Sequence, residues 1–104
     1  MVSYVCLIEI HLHFPENGSL KGKRKELQTL KAQLQRRFGA AVSETGHHDL
    51  WQRATVSATL VGGQAGPLSE AAARLERYVE SCFPQGVRLE RGLVSSDELL
   101  GGGY

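Results

Sequence analysis

Seven of the twelve Lys and Arg residues in this 104-residue chain fall between Lys21 and Arg37, against one carboxylate, Glu26. That window therefore carries +6 and the rest of the chain −5, which gives the formal net charge of +1. Clustered, uncancelled cations are suited to phosphate. Lysine brings three donors on a point charge, and arginine brings a planar fork. Like charges on one helix repel by a few tenths of a kcal/mol per close pair, roughly, a cost that a polyanionic partner would relieve. Lys21, Lys23, Arg24, Lys25 and Lys31 are the candidate phosphate contacts. The competing reading is a solvated face neutralised by acids from other elements.

Two further groups have chemical potential. Trp51 and Arg53 together could stack a base and bind its phosphate, as in single-strand binders. The aromatics of an RNA-recognition motif are nevertheless missing from the strands expected at the sheet centre, where Leu7, Ser57 and Thr59 stand. Burial of Val5, Leu7, Trp51 and Val61 in a homo-oligomer, through an uncovered sheet face, accounts better for Trp51. The four histidines are His11 and His13, on one side of a strand, and His47-His48, followed by Asp49. No thiolate or carboxylate stands at a diagnostic metal spacing beside them, so no metal or other cofactor is expected. A His–Glu acid/base pair, such as His11 with Glu9 or Glu44, lacks an accompanying nucleophile or phosphate loop, and no catalytic residue is assigned.

The elements that must position these groups can be read from periodicity. Residues 2 to 14 alternate, with Val2, Tyr4, Cys6, Ile8, Ile10, Leu12 and Phe14 on a core face. Pro15-Glu16-Asn17-Gly18 reads as a turn. Ser19 is a suitable helix N-cap, and Gly39 a left-handed C-cap. Between them Leu20, Leu27, Leu30, Leu34 and Phe38 share an arc of about 80°. Lys23 falls inside that arc, where its stem can overhang the core edge and its ammonium reach out.

Residues 40–45 and 53–61 read as strands joined by a hairpin. Gly62, Gly63, Gly66 and Pro67 lead into a second helix that ends at Cys82 before Phe83-Pro84. Its charges are mixed, with Glu70 four residues before Arg74 and Arg77 three before Glu80, as on an ordinary solvated face. A last strand is expected from Gln85 to about Val94, and Ser95 to Tyr104 reads as frayed.

The order β-α-β-β-α-β predicts an α+β, ferredoxin-like sandwich, with two helices on one face of a four-stranded antiparallel sheet. The expected strand order is four, one, three, two. One domain over residues 1–98 and a flexible Gly-rich tail over 99–104 are expected. The composition, 41% hydrophobic and 22% charged, is that of a soluble globular domain. No apolar run is long enough to span a membrane, and the N-terminus alternates rather than forming a leader. Cys6 and Cys82 lack metal spacing and read as buried free thiols of a reducing cytoplasm.

The segments SLKGKRKELQTLKAQLQRRF and AVSETGHHDLWQRATVSATLV, taken together, resemble the domain of unknown function 503 family, the YlxP-like bacterial proteins. That family opens its first helix with Ser-Leu-Lys-x-Lys-Arg and enters its third strand with an acidic-x-Trp-Gln-Arg-Ala segment. The resemblance covers about residues 2 to 94. Its specific points are Ser19, Leu20, Lys21, Lys23, Arg24, Trp51, Gln52, Arg53 and Ala54. Gly22 departs from the pattern, where a charged residue is common, and the Gly-rich tail is not a family feature.

The resemblance implies a small cytosolic ferredoxin-like protein whose gene often neighbours those of a transcription elongation factor, a translation initiation factor and ribosome-binding factor A. It implies no particular reaction. The combined expectation is a non-enzymatic RNA- or ribosome-associated accessory factor. A homo-oligomeric small-ligand or protein-interaction module is the alternative.

Overall fold

A computed structural model describes residues 1–14, 18–84 and 86–101. The turn expected at Pro15-Glu16-Asn17-Gly18, apart from Gly18, lies outside the described residues, as do Gln85 and the last three residues. The elements run β1 (Tyr4–His13), α1 (Leu20–Phe38), β2 (Ala41–Gly46), β3 (Arg53–Gly62), α2 (Ala65–Cys82), β4 (Val87–Ser95) and the short α3 (Ser96–Leu99). One four-stranded sheet has the order β2-β3-β1-β4, with every neighbouring pair antiparallel. This is the ferredoxin-like arrangement, with β1 and β3 central, as their alternation demands.

The period of two on the central strands divides core from open face. Cys6, Ile8, Ile10 and Leu12 of β1 and Ala54, Val56, Ala58 and Leu60 of β3 point to the helical layer and are buried. They meet Leu27, Leu30 and Leu34 of α1 and Leu68, Ala72, Leu75 and Val79 of α2 in one cluster. Val2 at the start of the chain is exposed, while Tyr4 and Phe38 are only partly buried, so the core is shorter at its ends than the alternation predicts.

Both caps of α1 form as the sequence requires. The Ser19 hydroxyl accepts from the Gly22 N–H at 3.1 Å. Gly39 adopts φ 66 and its N–H donates to the Gln35 carbonyl at 3.0 Å. The other end elements depart from expectation. α2 starts at Ala65, so Gly66 and Pro67 lie in its first turn, where a proline ring meets no preceding helical carbonyl. Neither expected pair on α2 closes as an ion pair; instead Glu76 reaches Arg91 of β4 at 3.5 Å.

Ser95 also does not begin a frayed tail. It caps α3 through a reciprocal box, its hydroxyl accepting from the Glu98 N–H at 3.1 Å. The Ser96 N–H donates to the Ser3 carbonyl at 2.7 Å, tying this segment to the chain start. Cys82 is exposed, not buried, because it is the last residue of α2. No described helix is long and apolar enough to cross a membrane.

Candidate nucleic-acid interface

α1 carries its cations in two different ways. Lys21, Arg24, Lys25 and Arg36 are exposed and Lys31 is half-buried. None of these five is within ion-pair distance of a carboxylate among the described residues. Arg37 is committed to packing: its Nε donates to Gln33 Oε1 at 2.9 Å, and its guanidinium lies 4.6 Å from the centre of the Tyr78 ring.

Lys23 is the exception and corrects the sequence-based assignment. Only 1% of it is exposed. Its ammonium does not reach out to solvent; it donates to the carbonyls of His47 and of Leu50, the latter at 2.6 Å. Glu44 Oε2 stands 3.5 Å away as its countercharge. Two carbonyls accept from the ammonium and a carboxylate balances it, so the charge is spent inside the protein. A phosphate cannot reach it.

The acceptors belong to the β2–β3 hairpin. Its turn closes with the Leu50 N–H donating to the His47 carbonyl at 3.2 Å, and His47 takes φ 59, the one positive φ of a non-glycine among the described residues. Lys23 therefore fastens the hairpin tip to the first turn of α1. Trp51 is 51% exposed and lies in the bend before β3, while Arg53 is the first residue of β3 and exposed. Trp51 is thus not carried on the strand's open face by simple alternation.

The nominated oligomer residues divide into two groups. Val5 pairs with Val61, and Leu7 with Thr59, at one end of the sheet. Leu7 is 44% and Val61 69% exposed there. Trp51 precedes the opposite end of β3, roughly 30 Å away at strand rise. The four do not form a single patch.

Between these ends the open face is polar and hydrogen-bonded. Ser57 donates to Glu9 Oε2 at 2.6 Å and shares a 2.8 Å bond with Thr45 Oγ1. His11 lies between Thr55 and Glu90, with Nδ1 at 3.2 Å from Thr55 Oγ1 and Nε2 at 2.7 Å from Glu90 Oε1. A carboxylate only accepts, so the Nε2 proton points to Glu90. That bond, then the Arg88 guanidinium at 3.3 Å, holds the Glu90 carboxyl below its ordinary range.

At the hairpin end a cleft of about 430 Å³ is lined by His11, His13, His47, Arg53, Gly86 and Arg88, among others. β1, the hairpin, the start of β3 and the start of β4 converge there. The His13 N–H donates to the Gly86 carbonyl at 2.8 Å, and the Phe14 N–H to the Gln52 carbonyl at 2.7 Å. Sequence reasoning singled out Arg53 and the histidines but missed Arg88 and Gly86. The parity of Arg88 with Glu90 was visible, but the register that sets Arg88 opposite His11 was not. Among the described residues, no three His, Cys, Asp or Glu side chains gather as metal ligands.

Residues 5–88 match the family described as protein of unknown function (DUF503). The chain is 31% identical over 80 residues to the uncharacterized protein YlxP of Bacillus subtilis (strain 168), covering 77% of this chain and 83% of that protein. Among solved structures, the de novo designed protein Foldit4 has a TM-score of 0.58 at 11% identity, over 88% of this chain and 96% of that one. A mutant of SnoaB, a cofactor-independent oxygenase from Streptomyces nogalater, has a TM-score of 0.50 at 14% identity, over 88% and 90%. At these identities the two structures share the fold with this chain and nothing further. The family match and the Bacillus relative together establish that the chain belongs to the DUF503 family.

Proposed function

We propose that this protein is a non-enzymatic, cytoplasmic accessory factor that associates with RNA or a ribosomal subunit through the solvent face of α1. The observation that carries this reading is the set of five cations, Lys21, Arg24, Lys25, Lys31 and Arg36, with no carboxylate partner among the described residues. A helix capped at both ends holds them in fixed relative positions, so little order must be gained on binding. Lys23 is removed from the contacting set. Its role is to hold the hairpin that bears Trp51 beside the first turn of α1, which allows Trp51 to extend the surface, while Arg53 stands apart at the end of the open sheet face.

Reversing Lys21, Arg24 and Lys25 to Glu is expected to abolish co-sedimentation with ribosomal subunits at low salt. Unchanged co-sedimentation would overturn the reading. Contact with three or four phosphates of a single strand further requires a slope of about −2 to −3 in log K against log salt.

A second reading rests on the exposed Leu7 and Val61, diagonal neighbours on adjacent strands at the far end of the open face. Self-association through that end would bury them and leave α1 free. Light scattering on the parent protein and on Leu7→Arg separates a dimer that the variant dissociates from a monomer in both.

A further inference from the structure

We propose that the cleft at the hairpin end of the open sheet face is a binding site for a small phosphomonoester, separate from the polyanion surface of α1. The cleft joins two guanidinium groups, of Arg53 and Arg88, with three imidazoles, of His11, His13 and His47, and has no carboxylate in its lining. Glu90, which both His11 and Arg88 touch, is engaged by them and so does not oppose an anion with an uncommitted charge.

The five have separate tasks. His11 has both ring nitrogens occupied by Thr55 and Glu90, so it forms a fixed wall and does not grip the ligand. His13, His47 and Arg53 make no side-chain hydrogen bond or ion pair among the described residues and supply open donors. Arg88 touches Glu90 through one nitrogen, Nη1, and keeps the rest of its fork for a second acceptor. Two guanidinium groups flanked by imidazoles suit the several oxygens of a phosphate better than the two of one carboxylate.

The floor is backbone. A Cβ at position 86 would lie 2.8 Å from the His13 carbonyl oxygen and 2.9 Å from its Cβ, so only glycine lets the β4 entry come this close to the end of β1. At about 430 Å³ the cleft is far larger than a bare phosphate and falls in the range of small-molecule sites. Leu12, Ala54 and Val87 close it from beneath, on the core side of the sheet. The ligand therefore has an organic body attached to the phosphate.

The full chain, labelled with 15N, is titrated with inorganic phosphate, ribose 5-phosphate, ribose and citrate. Saturable shifts at the amides of His13, Gly86 and Arg88 are expected with phosphate and, at lower concentration, with ribose 5-phosphate, but not with ribose. In the Arg53→Gln/Arg88→Gln double variant, whose changes are on exposed side chains, ribose 5-phosphate should bind at least ten-fold more weakly. The Lys21→Glu/Arg24→Glu/Lys25→Glu variant should bind it within two-fold of the parent. That variant separates this site from the α1 surface, since loss of co-sedimentation there leaves the cleft untouched. Shifts that do not saturate, that map to α1, or that citrate produces equally well would overturn the proposal, as would an unaffected double variant.

Discussion

The ammonium of Lys23 lies 2.6 Å from the carbonyl oxygen of Leu50, joining the first turn of α1 to the tip of the β2–β3 hairpin. A cation in a helix rich in exposed cations is here the structural one. Replacing it by Met keeps the buried stem but leaves the carbonyls of His47 and Leu50 without that donor and Glu44 without its countercharge. The expected loss is about 2–4 kcal/mol, compared with under about 0.5 kcal/mol for Lys21→Met on the exposed face. Urea unfolding of the two variants measures the difference, and hydrogen exchange should show faster opening of the hairpin in Lys23→Met alone.

That relationship also marks where sequence reading stops. The fold was legible because each signal for it is local: alternation in β1 and β3, a polar cap before α1, a glycine after it, and a proline after α2. The strand order followed from element order. Lys23 fell in the apolar arc of α1, so its burial was half visible, but its acceptors are 24 and 27 residues away and depend on how the hairpin folds back. The cleft was less legible still. Gly86 and Arg88 join the histidines only through the β1–β4 register, to which no local pattern points.

Position 86 tests that register. In Gly86→Ala the new Cβ meets backbone and Cβ atoms of His13 at under 3 Å, and neither can rotate away. Strand separation at this end should cost about 1–3 kcal/mol, read from thermal unfolding. Gly92→Ala, also on β4 but with open space around it, should stay within about 0.5 kcal/mol of the parent.

The two thiols should differ sharply. Cys6 is wholly buried, and that burial raises its pKa, so little reactive thiolate is accessible in the folded protein. Cys82 ends α2 and is exposed. One equivalent of thiol should react rapidly with a disulfide reagent under native conditions, and a second only in denaturant. Two rapid equivalents in the native protein would contradict the placement of β1 at the sheet centre.

Glu90 gives a pH signature to the open face. Its carboxyl is held below the ordinary range, first by the His11 bond and then by Arg88, although Glu9 is its register partner on β1. A depressed carboxyl stabilises the fold above the range in which the unfolded chain titrates, and that contribution is lost as pH falls through the lower folded value. Removing the charge in Glu90→Gln should therefore lower the melting temperature at neutral pH. The gap from the parent should close on acidification through and below the ordinary carboxylate range, as both proteins come to carry a neutral group at this position. Parallel curves over that interval would show that the His11–Glu90 contact does not persist in solution.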